Sequence, residues 1–240
     1  MLNHQQPLTL RDMGIRKFRE MLNDVMGSWI RMLVLAGDIG IYNYSKQLEE
    51  VRNKCKTLNE FLALLPREIL EDIIPPLLPN FLNKISAYNT TFRKMKRIRR
   101  HPEIERKHED VCVEMLKSVL GPFTRRYNTE LMSSFEQRLI IQTFISTPNL
   151  SHLMFSTAPE IDNSSLLARN IHHLKNLVSF QYNDMCTDQV IQQLALHCSK
   201  VRIIDVSNSP AVTDVSVHHL LKLKVLIHVD LTGTSVTERN

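Results

Sequence analysis

Apolar and polar positions alternate with two different periods along the chain, and the change falls near residue 147. Before it, apolar residues recur three or four positions apart. Met13, Ile15, Phe18, Met21, Leu22, Val25, Met26, Trp29, Ile30 and Leu33 fall on one helical face. Gly37 and Gly40 interrupt that pattern, which resumes through Leu48, Val51, Cys55, Leu58, Phe61, Leu62 and Leu65. Pro66, Pro75, Pro76 and Pro79 then predict a chain broken into short pieces. A further helix is expected from 103 to 120, stopped by Gly121 and Pro122, and another opening at Asn128-Thr129-Glu130 and carrying Leu131, Phe135, Leu139, Ile140, Ile141, Phe144 and Ile145.

After Pro148 the sequence repeats itself. Leu150-x-x-Leu153-x-Phe155, Leu177-x-x-Phe180-x-Tyr182, Val201-x-x-Ile204-x-Val206 and Leu226-x-x-Val229-x-Leu231 align in one register. Each triplet suits a short strand with inward side chains at alternate positions. A second signature follows in every unit: Ile161-Asp162, Thr187-Asp188, Thr213-Asp214 and Thr237-Glu238. A short polar side chain there suits a helix start, where it caps free backbone N–H groups. The expectation is an α/β protein: a mainly helical region over 1–147, then about four strand–turn–helix units over 148–240, the last of them incomplete. An array of this kind needs a polar terminal cap, so the natural product is expected to be longer, or the chain to be a fragment or truncated form.

This strand–turn–helix unit, around 20–29 residues long, resembles a leucine-rich repeat. The block from Cys186-Thr187-Asp188 to Leu194-Ala195 and Cys198 is similar to the cysteine-containing subtype of F-box leucine-rich-repeat proteins. Upstream, Leu65-Pro66-Arg67-Glu68-Ile69-Leu70-Glu71-Asp72-Ile73-Ile74-Pro75-Pro76-Leu77-Leu78, within a segment near 62–100, resembles the opening of an F-box. The residues also carry a reading of their own. Pro66 fixes a helix start, Glu68 meets the positive end of the helix dipole, and Ile69, Leu70, Ile73, Ile74 and Leu77 form a broad apolar stripe that serves either a core or a partner helix.

The resemblance implies a non-catalytic substrate receptor of a cullin-RING ubiquitin ligase. Leu65, Pro66, Glu68, Ile69, Leu70, Ile73, Ile74 and Leu77 would engage a Skp-type adaptor and, through it, a cullin. The outward strand residues His152, Met154, Ser179, Gln181, Arg202, Asp205, His228 and Asp230 would meet a protein substrate. Three rivals stay open, one of them a nucleic-acid-associated protein that uses the basic run 93–107 and whose binding falls steeply with salt. Another is an interaction scaffold of the same repeats with no ligase link, favoured if the apolar stripe is not partly exposed. The third is an elongin-type cullin box opening at Thr57-Leu58-x-x-x-Leu62.

Composition narrows the chemistry. Six glycines in 240 residues lie well under the usual roughly 7%, and no phosphate-loop or zinc-protease motif is present. Cys55, Cys112, Cys186 and Cys198 follow no zinc template and, with no signal peptide evident, fit a reducing compartment, cytoplasmic or nuclear. No stretch reads as a membrane span. The net charge of +5 is local to 93–107, where Arg93, Lys94, Lys96, Arg97, Arg99, Arg100, Arg106 and Lys107 face only Glu103 and Glu105. That run reads as a solvated helix face, or as a nuclear-localisation signal or a patch for nucleic acid or acidic partners. Without interleaved aromatic residues it does not suit a single-stranded nucleic-acid platform. The pairs His172-His173 and His218-His219 do not chelate, since neighbours on a helix diverge by about 100°. No cofactor, metal or catalytic set is expected.

Overall fold

The computed structural model describes residues 9–129, 133–155 and 163–237, which form two compact units, Met1–Val119 and Leu120–Asn240. The division falls upstream of residue 147 because strand and helix alternation begins earlier than its sequence signature.

The first unit is helical: α1 (Leu10–Ile39), α2 (Ile41–Leu62), α3 (Arg67–Lys94), the single turn α4 (Lys96–Arg99) and α5 (Pro102–Lys117). Thr9 opens α1 with a reciprocal capping box, its hydroxyl accepting from the Asp12 N–H while the Asp12 carboxylate accepts from the Thr9 N–H. Gly40, at φ 148°, joins α1 to α2 with a backbone that residues bearing a Cβ rarely adopt. Gly37 is needed for a different reason. A Cβ there would sit 2.6 Å from the Met95 sulfur, so its absence lets the α3–α4 junction approach α1.

Contrary to the sequence expectation, Pro75, Pro76 and Pro79 do not break the chain: all three lie inside α3. Each removes a backbone hydrogen bond, and all three lie on the exposed side of the helix. On the opposite side Ile73, Ile74, Leu77, Phe81, Leu82 and Ile85 are buried, and α3 packs along α1. Burial of that face outweighs the lost bonds, because a typical intramolecular hydrogen bond contributes only about 1 kcal/mol net while burying a large aliphatic side chain contributes about 2 kcal/mol.

The second unit is a parallel sheet with helices between its strands. The strands β1 (Arg126–Thr129), β2 (His152–Phe155), β3 (Ser179–Tyr182), β4 (Ile203–Asp205) and β5 (His228–Asp230) lie side by side in chain order. The connections carry α6 (Ser134–Gln142), α7 (Ser164–Asn170), α8 (Asp188–His197) and α9 (Asp214–Leu220). Thr187 and Thr213 cap α8 and α9 at the positions the repeat predicts. Glu238 and the pair Ile161-Asp162 lie outside the described residues. Two findings differ from the sequence reading. Asn128 and Thr129 end strand β1 instead of opening a helix, and the helix begins at Ser134, where Ser133 and Glu136 form a capping box. The sheet therefore has one strand more than the four repeats predict.

Successive units are tied together by recurring polar contacts. Asp184, Asn208 and Gly233, one in the turn after each of β3, β4 and β5, adopt left-handed backbones with φ 69°, 57° and 70°. These are the residue types that tolerate it. The Asp184 N–H donates to the Ser207 carbonyl, and the Asn208 N–H to the Thr232 carbonyl. At the helix starts, the Asp188 carboxylate accepts from the Thr213 N–H at 2.8 Å and hydroxyl at 2.7 Å, and Asp214 repeats both bonds to Thr237 at the same distances.

Candidate recognition surface

The strand register builds the surface. Leu153, Phe155, Phe180, Tyr182 and Ile204 point into the core and are at most 1% exposed. The residues between them point outward in two rows. Arg126, His152, Ser179, Ile203 and His228 stand side by side in one, and Met154, Gln181, Asp205 and Asp230 in the other. Parallel pairing sets neighbouring strands about 4.8 Å apart, so each row presents side chains at a regular spacing.

Seven of the eight predicted outward residues, His152, Met154, Ser179, Gln181, Asp205, His228 and Asp230, occupy these two rows. Arg202 does not. It precedes β4, its place is taken by Ile203, and its carbonyl accepts from the Ile227 and His228 N–H groups. Arg202 instead lines a shallow depression of about 480 Å³ with Val178, Ser199, Lys200 and Val225. The sequence reading missed Arg126, because β1 was not recognised.

Charge is graded along the outward rows. Burial, and then the neighbouring Arg126 charge, hold the His152 imidazole below its ordinary pKa, which favours its neutral form beside a cation. At the other end, Asp205 and Asp230 each accept the N–H two residues on, from Ser207 at 3.1 Å and Thr232 at 2.9 Å. Those bonds from Thr232 hold the Asp230 carboxyl below the usual range. The surface thus runs from basic at β1 to acidic at β4 and β5.

The adaptor residues are mostly not on a surface. Leu70, Ile73, Ile74 and Leu77 are 2–4% exposed. They face the core of the helical unit, where α1 covers α3. Pro66 and Glu68 are exposed, and Leu65 and Ile69 are half-buried. Leu65 and Ile69 do line a groove of about 270 Å³ with Arg11, Gly14, Ile15, Phe18 and Ile73. For the elongin-type spacing, Leu62 is 1% exposed, which leaves only Thr57 and Leu58 at a surface groove.

The cationic side chains of 93–107 are all exposed, across the end of α3, α4 and the start of α5. Arg99 pairs with Glu105 at 3.9 Å. The four cysteines are free and buried, and burial raises the thiols of Cys55 and Cys198 to about 12. Cys112 lies 3.8 Å from the His108 ring. Burial raises that thiol and lowers the imidazole, so the pair is a neutral thiol beside a neutral ring, not a thiolate nucleophile with its base. Among the described residues no cluster of three or more His, Cys, Asp or Glu is placed to hold a metal ion, and no helix is long and apolar enough to cross a membrane.

Set against protein-family models, curated proteins and solved structures, the chain matches none.

Proposed function

We propose that this chain is a non-catalytic protein-binding scaffold of leucine-rich-repeat type, which recognises a protein partner on the outward face of its parallel sheet. The observation that carries this reading is the pair of in-register outward rows. They form a surface that is polar except at Met154 and Ile203, on a backbone held by recurring turn and cap bonds. Rigid parallel strands with adaptable side chains suit recognition, since little ordering entropy is lost on binding.

A second reading keeps the ligase link. In it the groove lined by Leu65 and Ile69 receives an apolar segment of a Skp-type adaptor, and the sheet holds a substrate near a charged ubiquitin carrier, raising its effective concentration. Burial of Leu70, Ile73, Ile74 and Leu77 makes this the weaker account, because adaptor binding through the whole stripe would require α1 to leave α3.

One capture experiment separates the two. The intact chain is compared with a Leu65→Asp, Ile69→Asp variant and with a Gln181→Arg, Ile203→Glu variant, each checked for folding by circular dichroism. Leu70 is avoided because a charge at a buried position would unfold the helical unit. The scaffold reading expects partners that the second variant loses and the first keeps, with no adaptor or cullin in any sample. Adaptor and cullin held by the intact chain and lost by the first variant would establish the ligase reading. Partners held equally by all three proteins would remove the sheet face from the account.

A further inference from the structure

The helical unit brings two unlike surfaces to one end. α2 returns along α1: the Phe18 and Phe61 rings lie 6.4 Å apart, and the Lys54 ammonium reaches the Met32 sulfur at 3.7 Å. α3 runs beside α1 in the same direction, since Arg11 pairs with Asp72, Lys84 donates to the Asn23 carbonyl, and Gly37 abuts Met95. α5 then returns along α3, with His108 stacked on Phe92 and Glu105 paired with Arg99. The hairpin tip at Gly40 and the tip over 95–101 are therefore neighbours, and Met95 and Ile98 pack against α1 at Gly37.

The first tip is apolar where it meets water. Ile39 is 73% and Tyr42 79% exposed, Ile41 is exposed as well, and Leu35 stands one helical turn before Ile39 at 64%. Apolar residues scattered singly over a surface need no explanation, but three within the four positions 39–42 do. The second tip is cationic. Arg93, Lys94, Lys96, Arg97, Arg99 and Arg100 are exposed around the buried Ile98, and Arg106 and Lys107 follow on α5. The exposed acids of this end, Asp38, Glu103 and Glu105, leave a large positive excess. The Met95 carbonyl accepts from Ile98 and Arg99, so the cations of α4 are held on a folded turn.

We propose that this end of the helical unit docks on an anionic lipid bilayer, with the Gly40 tip dipping among the headgroups and the cations of 93–107 meeting lipid phosphates and carboxylates. Charge complementarity and the apolar tip identify the occupant together. A nucleic-acid backbone would satisfy the cations and leave Leu35, Ile39 and Ile41 without a partner. A bilayer surface satisfies both, because interfacial binding scales with buried apolar area plus attraction to anionic lipids. Tyr42 suits that boundary, with an apolar ring and a polar hydroxyl. The cations come from three elements, α3, α4 and α5, and so spread over an end of the unit, which matches a charged plane. The contact is peripheral: among the described residues no helix is long and apolar enough to cross a membrane. It engages the helical unit alone and does not depend on the sheet face.

The test is co-sedimentation of the full chain with vesicles of phosphatidylcholine, with and without phosphatidylserine. The intact protein is expected to pellet with the anionic vesicles only, and to be largely released at about 0.5 M salt, which screens exposed charges within a few ångströms. The variant Lys96→Gln, Arg97→Gln, Arg99→Gln is expected to bind about 100-fold more weakly, at about fivefold per cation. The variant Ile39→Ser, Tyr42→Ser keeps every charge and is expected to bind at least about tenfold more weakly. All five side chains are exposed, and an unchanged urea transition of Trp29 confirms that each variant folds. A polarity-sensitive dye on Ile39→Cys, in a chain whose native cysteines are all buried, should shift to the blue on anionic vesicles. The same dye on Glu60→Cys, at the far end of α2, should not. Failure to pellet with anionic vesicles overturns the proposal, whether or not a DNA duplex or an acidic polypeptide is bound instead. So does binding that either variant leaves intact, or a dye at position 39 that does not shift.

Discussion

Acidification should destabilise the helical unit through one buried histidine. His108 is 2% exposed, stacked on the Phe92 ring at 3.8 Å between centroids. Its Nε2 faces the Asn89 side-chain oxygen at 3.2 Å, and its Nδ1 faces the Tyr44 hydroxyl at 3.1 Å. The consistent arrangement has Nε2–H donating to Asn89, Tyr44 donating to Nδ1, and Tyr88 donating to Tyr44 at 2.5 Å. Every polar atom of the ring is used in the neutral form. Burial, followed by the Arg93 charge, pushes the imidazole down to about 3. The unfolded chain therefore binds a proton below its ordinary 6.5 that the folded chain refuses, and stability falls as pH falls from 6.5 toward 3. The loss is about 1.4 kcal/mol per pH unit, reaching about 2 kcal/mol near pH 5. Trp29 is the sole tryptophan and belongs to this unit, so urea unfolding followed by its fluorescence isolates the helical region. The intact protein should lose about 2 kcal/mol more than His108→Gln between about pH 7.5 and pH 5. Equal losses in the two proteins would refute the assignment of a neutral, buried His108.

Four further outcomes follow from packing and capping. Gly37→Val should cost about 2 kcal/mol, read from the same Trp29 transition, because its side chain meets Met95; adding Met95→Ala should recover much of that. Asp188→Ala should lower the melting temperature of the sheet unit by removing the acceptor shared by the Thr213 N–H and hydroxyl and the Ser216 hydroxyl, at about 2 kcal/mol. Asp214→Ala, at the exposed copy of that site, should cost less than half as much in the same thermal scan. Phe180→Ala empties a fully buried position in the middle strand and should cost about 3–5 kcal/mol by denaturant titration.

How much of this was legible depended on local signals. Strands β2 to β5 were readable because an apolar anchor and two alternating apolar residues recur in each. Strand β1 escaped because Thr124 and Thr129 stand where the other units place apolar residues, leaving Tyr127 alone to mark it. The side chain of Tyr127 is 1% exposed, opposite Leu153 in the register. Continuity of α3 was hidden for the reverse reason. Three prolines are a strong local signal, and the burial that overrides them comes from α1, far away in sequence. The apolar stripe of α3 was visible, but whether it met a partner or its own unit was a tertiary question that helical periodicity does not answer. Arg202 and Ile203 both lie between the inward anchors of their unit, and only the strand start, the least certain part of any pattern, decides which of them joins the outward row. The buried Tyr44–Tyr88–His108 chain joins three helices and leaves a single trace in the sequence: His108 sits on the apolar face of α5 between Ile104 and Cys112.

The central claim, that the outward sheet face is the recognition surface, is tested most directly by site-specific photocrosslinking in cells. A photoreactive residue replaces Gln181, in the outward row of β3, or Gln192, exposed on α8. The account predicts a discrete protein adduct from position 181 and none from position 192. An adduct formed from 192 alone, or equally from both, would contradict it.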